Sequence, residues 1–351
     1  NLKDFDGPQF LHIITKKGAG LDPAEADRIG FHAIGKIRPL DASKKTNGPK
    51  YQDVFGQWIV DMAKQDEDLM AITPAMREGS GLVNFSQEFP ERFFDVAIAE
   101  QHAVTLAAGM ACEGKKPIVA IYSTFLQRAY DQLIHDVAIQ NLNVLFAIDR
   151  AGLVGEDGPT HSGNYDLAFL RCIPNMIIAV PADENETRKL LTTAFTHQGP
   201  VAVRYPRGCG INSQIDPELK PLEIGKGRLI NKKDSEIIII NFGALIGTAE
   251  KVAQELSATL IDMRFVKPLD EGLLNEHTKA KKIIVTIEDG AISGGAGSAV
   301  NEWAQENNIK SQTIICGIPD EFIEHASREE MIEMAGLDAK SIIAKVKKYL
   351  P

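Results

Sequence analysis

The stretch that decides the fold class reads Asp95-Val96-Ala97-Ile98-Ala99-Glu100-Gln101-His102. Its apolar part predicts a buried strand that ends abruptly at Glu100. A carboxylate at the carboxyl end of a strand in an α/β sheet lies at the edge where such folds bind ligands. Taken alone, the stretch allows two interpretations of Glu100: a ligand-binding group, or a solvated side chain in a strand-to-helix loop.

Strands and helices alternate on both sides of this stretch. Short runs that are apolar throughout predict strands at residues 69–73, 93–99, 118–122, 144–148, 177–180 and 201–204. Helical spacing connects Val54, Phe55, Trp58, Ile59 and Met62, and again Leu126, Tyr130, Leu133 and Val137. Strands without polar alternation indicate an α/β fold whose parallel sheet is covered on both faces.

The C-terminal part predicts a second α/β unit. Residues 209–228 are rich in Gly, Pro and polar residues and predict a linker, and strands follow at 237–241, 259–263 and 283–286 with a helix at 249–256. The glycine-rich run 290–297 could hold a phosphate at a helix start, but close packing of a helix on a sheet explains it better. Residues 328–350 predict a solvated terminal helix.

The first fifty residues do not read as the start of a domain. The apolar run 10–15 predicts a single strand, and Gly, Pro and charged residues dominate from there to Pro49. A lone strand is unstable and must pair with a sheet supplied elsewhere. The chain is therefore expected to begin in the middle of a longer protein.

Composition limits the possible functions. The 351 residues carry a net charge of −10, which argues against general affinity for nucleic acid or acidic membranes. No apolar run is long enough to span a bilayer. Cys112, Cys172, Cys209 and Cys316 show no paired spacing, so buried thiols in a reducing compartment are expected.

Several long strings resemble 1-deoxy-D-xylulose-5-phosphate synthases, a family of transketolase-type thiamine diphosphate enzymes. They lie at residues 10–18, 71–81, 120–132, 204–208 and 262–270. The resemblance implies four regions: the last strand of a diphosphate-binding domain with its linker (1–50), a pyrimidine-binding domain (51–208), a linker (209–228) and a transketolase C-terminal domain (229–351).

The resemblance implies a set of cofactor-binding residues. Glu100 matches the glutamate that bonds the pyrimidine ring of thiamine diphosphate and drives it to its imino form, with Ile98 keeping the site dry. Phe125 matches the aromatic ring that stacks on the pyrimidine, and Arg128 supports its surroundings. Leu21 stands where the family commonly has an aromatic residue, which leaves an apolar wall.

The resemblance also implies substrates, which are pyruvate and D-glyceraldehyde 3-phosphate. Arg150 and Arg207 match arginines that contact the triose phosphate, and guanidinium groups suit a phosphate dianion. Without the resemblance, each would be read as a surface or salt-bridged arginine. Tyr122 and Asp157 complete this group. The catalytic histidines are matched by His161 and His32, whose residue type exchanges protons near neutral pH.

No metal ligands are expected in this chain. Thiamine enzymes bind Mg²⁺ through Gly-Asp-Gly followed later by Asn, and Gly155-Glu156-Asp157-Gly158 with Asn185 only imitates that pattern. The Mg²⁺ ligands are expected in the N-terminal domain of the same protein. The resemblance further implies a homodimer in the bacterial cytoplasm, with a plastid form left open.

Two alternatives remain at this level. The β subunit of a 2-oxo-acid dehydrogenase has the same pair of domains at about this length, although the strand at 10–15 and the string 122–132 favour the synthase. A fragment that catalyses nothing and serves as a dimerising scaffold is the other possibility, because half of each cofactor site lies outside these residues.

Overall fold

The computed structural model describes residues 2–31, 48–211 and 214–350, and it divides into two compact units, Asn1–Thr46 and Asn47–Pro351. The described part of the first unit contains a 3₁₀ turn at Leu2–Asp4 and helix α1, Asp22–Ala26. The strand expected at 10–15 is absent there, and Phe10 is 89% exposed. An isolated strand has no partner for its backbone groups, so no strand forms at 10–15 in this structure, and its pairing with a sheet supplied elsewhere stays a prediction.

The second unit carries the regular structure. Its strands are β1 Leu69–Thr73, β2 Phe93–Asp95, β3 Lys116–Tyr122, β4 Leu145–Asp149, β5 Ile177–Ala179, β6 Val201–Arg204, β7 Arg228–Asn231, β8 Ile237–Phe242, β9 Thr259–Asp262, β10 Phe265–Lys267, β11 Ile283–Ala291 and β12 Gln312–Ile318. Its helices are α2 Tyr51–Ala63, α3 Val83–Glu88, α4 Glu100–Cys112, α5 Ser123–Leu126, α6 Tyr130–Gln132, α7 Asp166–Arg171, α8 Glu184–Thr196, α9 Ile246–Glu255, α10 Glu271–Thr278, α11 Ala296–Glu306, α12 Arg328–Met334 and α13 Ala339–Lys347.

These strands form two sheets. The first has the order β10-β5-β6-β4-β3-β1-β2, and its strands are parallel apart from β10, which pairs antiparallel with β5. The second has the order β12-β11-β8-β9-β7, with β7 antiparallel to β9. The central strands β4 and β8 are buried throughout, which agrees with helices covering both faces. The predicted α/β fold with largely parallel sheets is confirmed.

The strand before Glu100 is shorter than predicted. β2 ends at Asp95, because Ala97 adopts a φ of 58° and turns the chain away from the sheet. The Asp95 carboxylate stabilises this turn by accepting hydrogen bonds from the backbone N–H groups of Ala75 and Ala97, both at 3.0 Å. β2 is an edge strand and only partly buried, so the prediction of a buried strand over 93–99 is wrong.

The helix predicted after β3 is a series of short turns. α5 is followed by a 3₁₀ turn at Gln127–Ala129, by α6, and by a π-helical turn at Leu133–Ala138. Leu126, Leu133 and Val137 are nevertheless buried. The predicted apolar face is therefore confirmed, while regular helical geometry is not.

The glycine-rich run packs tightly and does not hold a phosphate. The N–H groups of Ala296 and Gly297, at the start of α11, both donate to the buried Glu288 carboxylate at 2.7 Å. A Cβ at Gly295 would lie 2.3 Å from the same carboxylate. The Glu288 carboxyl group thus fills the place at this helix start where an external anion could bind.

The C-terminal end differs from the prediction. Residues 328–350 form two helices, α12 and α13, and not one solvated helix. Met331, Ile342 and Val346 are fully buried in the core of the second sheet's lobe. Their spacing reflects a packed amphipathic face.

A buried arginine joins the two sheets. Arg204, at the end of β6, donates from Nε to Asp166 at 2.8 Å and from Nη1 to Asp289 at 2.5 Å. Burial acts to lower the pKa of Arg204, but the two carboxylates outweigh it and raise that pKa. The guanidinium therefore stays charged and fixes the end of β11 against β6.

The four cysteines form no disulfide. Cys316 is buried as expected, but Cys112 and Cys172 are exposed, so their predicted burial is wrong.

Within the described ranges, no helix is long and apolar enough to cross a membrane.

Burial raises the pKa of Glu288 to about 7, against an ordinary value of 4.5. The folded protein therefore holds an extra proton between these values, and the stability contributed by Glu288 is complete below about pH 4.5 and declines toward pH 7. Replacing Glu288 by Gln removes this dependence. We expect the unfolding free energy of Glu288→Gln, relative to the unmodified chain, to rise by about 3 kcal/mol between pH 4.5 and 7.5. Urea denaturation at both pH values measures it, with exposed Glu321→Gln as control; equal pH profiles for the two variants would contradict the assignment.

Candidate active site

The predicted site residues gather where the parallel strands end. Tyr122 is the last residue of β3, and Arg150 follows the last residue of β4. Arg207 lies three residues beyond β6, and Glu100 begins α4 after β2. The carboxyl edge of a parallel sheet is the usual ligand-binding edge of α/β folds.

Glu100 is a buried carboxylate that forms an ion pair with Arg128. It is 4% exposed, and its Oε1 accepts a hydrogen bond from Arg128 Nη1 at 2.6 Å. Its Oε2 accepts no hydrogen bond from the described residues, and its place in the first turn of α4 sets the carboxylate at the positive end of the helix. This arrangement leaves one carboxylate oxygen able to bind a ligand.

A continuous row of contacts leads from Glu100 to Arg150. The Arg128 guanidinium lies 4.9 Å above the ring of Phe125, and Phe125 stacks on Tyr122 at 5.7 Å with a 14° interplanar angle. The Arg150 guanidinium lies 4.2 Å above the Tyr122 ring. We call these five residues the aromatic row. Cation–π contacts and stacked rings hold flat groups in fixed planes, so the row has a defined shape.

The Arg150 guanidinium forms hydrogen bonds with three other groups of the protein. Its Nη1 donates to the Gly79 carbonyl at 2.7 Å, to Gln52 Oε1 at 3.1 Å and to Asp149 Oδ2 at 2.5 Å. Its backbone has a φ of 57°, which is uncommon for a non-glycine residue and is tolerated where surrounding contacts fix it. Arg150 therefore organises this edge of the sheet besides any contact with a ligand.

Burial raises the pKa of two neighbours of Arg150. It raises the pKa of Asp149 to about 6, although the Arg150 guanidinium opposes the rise. Burial also raises the pKa of Tyr122 to about 12. The Tyr122 hydroxyl therefore keeps its proton at neutral pH and can donate a hydrogen bond.

Arg207 lies in a more open setting than Arg150. Its side chain is 36% exposed, and its Nη1 donates to the Val154 carbonyl at 2.7 Å. The same nitrogen lies 3.0 Å from Asp157 Oδ2. Glu156 is a weaker partner at 3.4 Å. Arg207 thus carries a charge that an anionic ligand can reach, and Asp157 holds the guanidinium in place.

His161 lies in the loop that also carries Asp157, and it faces the aromatic row. Its ring meets the edge of Phe125 at a centroid distance of 5.4 Å, and its Nδ1 lies 2.8 Å from Thr160 Oγ1. Thr124 Oγ1 donates to the Thr160 carbonyl at 3.2 Å and ties the loop to the start of α5. The resemblance implies that His161 is a catalytic histidine, and the contact with Phe125 places its ring beside the aromatic row.

The other three predicted site residues differ in outcome. Ile98 is 78% exposed, because the turn at Ala97 directs the chain outward, so the described chain does not use it to shield Glu100. Leu21 belongs to the first compact unit, where it is exposed. His32 lies outside the described residues.

Two residues of the site were missed from the sequence. Gln52 and Gly79 both accept from Arg150, and neither was proposed. Gly79 belongs to the string Gly79-Ser80-Gly81, and two glycines so close together after a strand are a signal of close backbone approach.

The pattern that imitates a metal site is used for structure. Asp157 pairs with Arg207, and Asn185 bonds the linker, accepting from the Asp216 N–H at 2.8 Å and donating to the Gln214 carbonyl at 3.3 Å. Across the described part of the chain, no group of three or more His, Cys, Asp or Glu side chains could hold a metal ion.

Two models of protein families match this chain. Residues 47–210 match the transketolase pyrimidine-binding domain, and residues 225–342 match the transketolase C-terminal domain. The chain belongs to the transketolase-type family.

Within that family it is similar along its whole length to 1-deoxy-D-xylulose-5-phosphate synthases. The synthase of Pseudomonas aeruginosa (strain LESB58) is 60% identical over 351 residues, which are all of this chain and 56% of that protein. The synthase of Pseudomonas syringae pv. syringae (strain B728a) is 60% identical over 353 aligned residues with the same coverage. The chain thus spans about half the length of these curated relatives.

Solved structures agree on the fold. A split-gene transketolase, described as an inactive β4 tetramer, superposes with a TM-score of 0.77 at 29% identity, covering 86% of this chain and 98% of that one. A transketolase from Campylobacter jejuni superposes with a TM-score of 0.70 at 19% identity, covering 85% of this chain and 46% of the other.

The different settings of Arg150 and Arg207 lead to a stability prediction. Arg150→Ala leaves the buried Asp149 without its guanidinium, so we expect a loss of about 3–5 kcal/mol in unfolding free energy. Arg207→Ala removes a half-exposed charge, and we expect less than about 1 kcal/mol. Urea denaturation of both variants measures the contrast. Equal losses in the two variants would show that Arg150 does not hold this edge of the sheet.

Proposed function

We propose that this chain provides the pyrimidine-binding side of a thiamine diphosphate-dependent transferase. The proposed reaction joins pyruvate to D-glyceraldehyde 3-phosphate, releases CO₂ and forms 1-deoxy-D-xylulose 5-phosphate, a precursor of isoprenoids, thiamine and pyridoxal. The observation that carries the proposal is the buried Glu100 carboxylate, held by Arg128 at the edge of an aromatic row with one oxygen free of hydrogen bonds from the described residues. The similarity to the Pseudomonas synthases supports the choice of these two substrates.

The described residues fit one end of the cofactor. A pyrimidine ring needs an apolar flat surface and a hydrogen-bonding group at its edge, and Phe125 and Glu100 offer these two features. The diphosphate end needs Mg²⁺ and its acidic ligands, and no group of three or more His, Cys, Asp or Glu side chains in the described ranges could hold a metal ion. We therefore propose that the diphosphate and Mg²⁺ bind to a separate diphosphate-binding region.

Glu100 would control one proton at the pyrimidine ring. Thiamine diphosphate, when bound, supplies the nucleophilic carbon and the electron sink that decarboxylation and carbon–carbon bond formation require. Oε2 of Glu100 holds or releases the proton at the ring nitrogen, while Arg128 keeps Oε1 in place. Because the carboxylate is buried, this hydrogen bond competes little with water.

The acceptor would bind along the other end of the aromatic row. Arg207 offers a reachable guanidinium for the phosphate dianion, which must replace or join Asp157 as its partner. The Tyr122 hydroxyl, protonated at neutral pH, can donate to an acceptor oxygen. His161 beside Phe125 can exchange a proton with the carbonyl that becomes a hydroxyl.

A second candidate function is that of an oligomer that is inactive without a diphosphate-binding region. The split-gene transketolase with which this chain superposes is described as an inactive β4 tetramer. This chain spans 56% of the length of its curated relatives. We propose that the catalytic form is a homodimer of the whole protein, which includes a diphosphate-binding region. The chain alone is expected to fold and to remain inactive.

Replacing Glu100 by Gln tests the central residue. Gln keeps the size of the side chain but cannot take up the proton, so we expect turnover to fall by at least about 10³-fold in the whole protein. Thermal unfolding should be nearly unchanged. Steady-state assays with pyruvate and the triose phosphate measure the effect; near-normal turnover in Glu100→Gln would remove Glu100 from the mechanism.

Replacing Arg207 by Ala tests the phosphate site. Loss of a charged hydrogen bond to phosphate should raise the KM for D-glyceraldehyde 3-phosphate about 10–100-fold, because such bonds contribute about 1.5–3 kcal/mol. The KM for pyruvate should change little. Lys282→Ala, which removes one exposed positive charge from the second sheet's lobe, is the control for net charge. Equal changes in both KM values would contradict a phosphate role for Arg207.

A further inference from the structure

The Tyr122 hydroxyl occupies the space in which a side chain at position 79 would begin. A Cβ atom at Gly79 would lie 1.9 Å from Tyr122 Oη and 3.1 Å from Tyr122 Cζ. The backbone of Gly79 does not have a positive φ. Glycine is therefore required here for space and not for backbone conformation.

Two contacts restrict the loop that carries Gly79. The N–H of Ser80 donates to the Met76 carbonyl at 2.8 Å, and Ser80 is fully buried. A Cβ at Gly81 would lie 2.3 Å from the carbonyl oxygen of Gln52 in α2, so the loop already presses against that helix. A side chain at position 79 must therefore displace Tyr122.

The Tyr122 ring is held as firmly as the loop. The Arg150 guanidinium lies 4.2 Å above it, and the Phe125 ring stacks on it. The same guanidinium donates to the Gly79 carbonyl at 2.7 Å. Gly79, Tyr122 and Arg150 thus form one closed set of contacts, in which a shift of one member moves the other two.

We propose that Gly79 is a positioning residue of the acceptor site: the absence of a side chain there fixes the Tyr122 hydroxyl beside the Arg150 guanidinium. This inference rests on the proposed function, in which the Tyr122 hydroxyl donates a hydrogen bond to an acceptor oxygen. A methyl group at position 79 tilts the Tyr122 ring and shifts the guanidinium. The Glu100 end of the aromatic row is separated from this displacement by Phe125 and Arg128.

The test compares Gly79→Ala, Tyr122→Phe and the double variant in the whole protein that contains this chain. Displacement of a ligand-binding group by about 1 Å can reduce rates by up to about 10²-fold, so we expect Gly79→Ala to raise the KM for D-glyceraldehyde 3-phosphate by about tenfold or more. The KM for pyruvate should change by less than about twofold. Tyr122→Phe removes the oxygen at 1.9 Å and leaves only the ring carbon at 3.1 Å, which has to shift by a few tenths of an ångström. Most of the effect of Gly79→Ala should therefore disappear in the double variant, which should come close to Tyr122→Phe alone.

A control and the contrary outcomes make the test decisive. A Cβ at Gly247 in α9 would meet no atom closer than 3.9 Å, so Gly247→Ala should leave both KM values unchanged. If Gly79→Ala fails to fold, the double variant must restore folding; failure of both overturns the inference. An effect of Gly79→Ala that is equally large with and without Tyr122→Phe, or an unchanged triose phosphate KM, also overturns it. An unmodified protein without condensation activity overturns the proposed function, and the inference with it.

Discussion

The parallel pairing of β3, β4 and β6 is the constraint on which the site depends. Parallel strands end on the same edge, so residues far apart in the sequence meet there. Tyr122, Arg150 and Arg207 follow from this pairing, and Arg204 then fixes the same edge against the second sheet. The strand order therefore sets the edge at which the site forms, and the turns, loops and helix starts beyond the strands supply most of its side chains.

The three arginines near this edge differ in burial and in role. Arg150 is enclosed, bonds three groups of the protein and keeps a neighbouring carboxylate paired, so its main task is structural. Arg207 is half-exposed and can give up a carboxylate for a phosphate at modest cost. Arg128 stands between these cases, because it holds a buried carboxylate from an exposed position. Three guanidinium groups of the same chemistry thus fit three different parts of the proposed mechanism.

The sequence predicted the α/β class and nine of the twelve strands of the described residues, because continuous apolar runs are local signals, but it missed β7, β10 and β12. The residues of the aromatic row were proposed from the resemblance to the synthases and not from these signals. The sequence could not show that Ala97 turns the chain, which left Ile98 exposed and β2 short. It also missed Gly79 and Gln52, whose contacts with Arg150 arise from tertiary packing. The helices at 328–350 were misjudged because a buried face and a solvated face can have the same charged composition.

The central claim is that Glu100 faces the pyrimidine of thiamine diphosphate at this edge. A crystal structure of the whole protein with the cofactor bound tests it most directly. The expected result is a hydrogen bond of about 2.6–3.2 Å between Glu100 Oε2 and a ring nitrogen, with the ring against Phe125. A cofactor whose ring lies elsewhere, or whose ring nitrogen is bound by another side chain, would contradict the proposed role of the site.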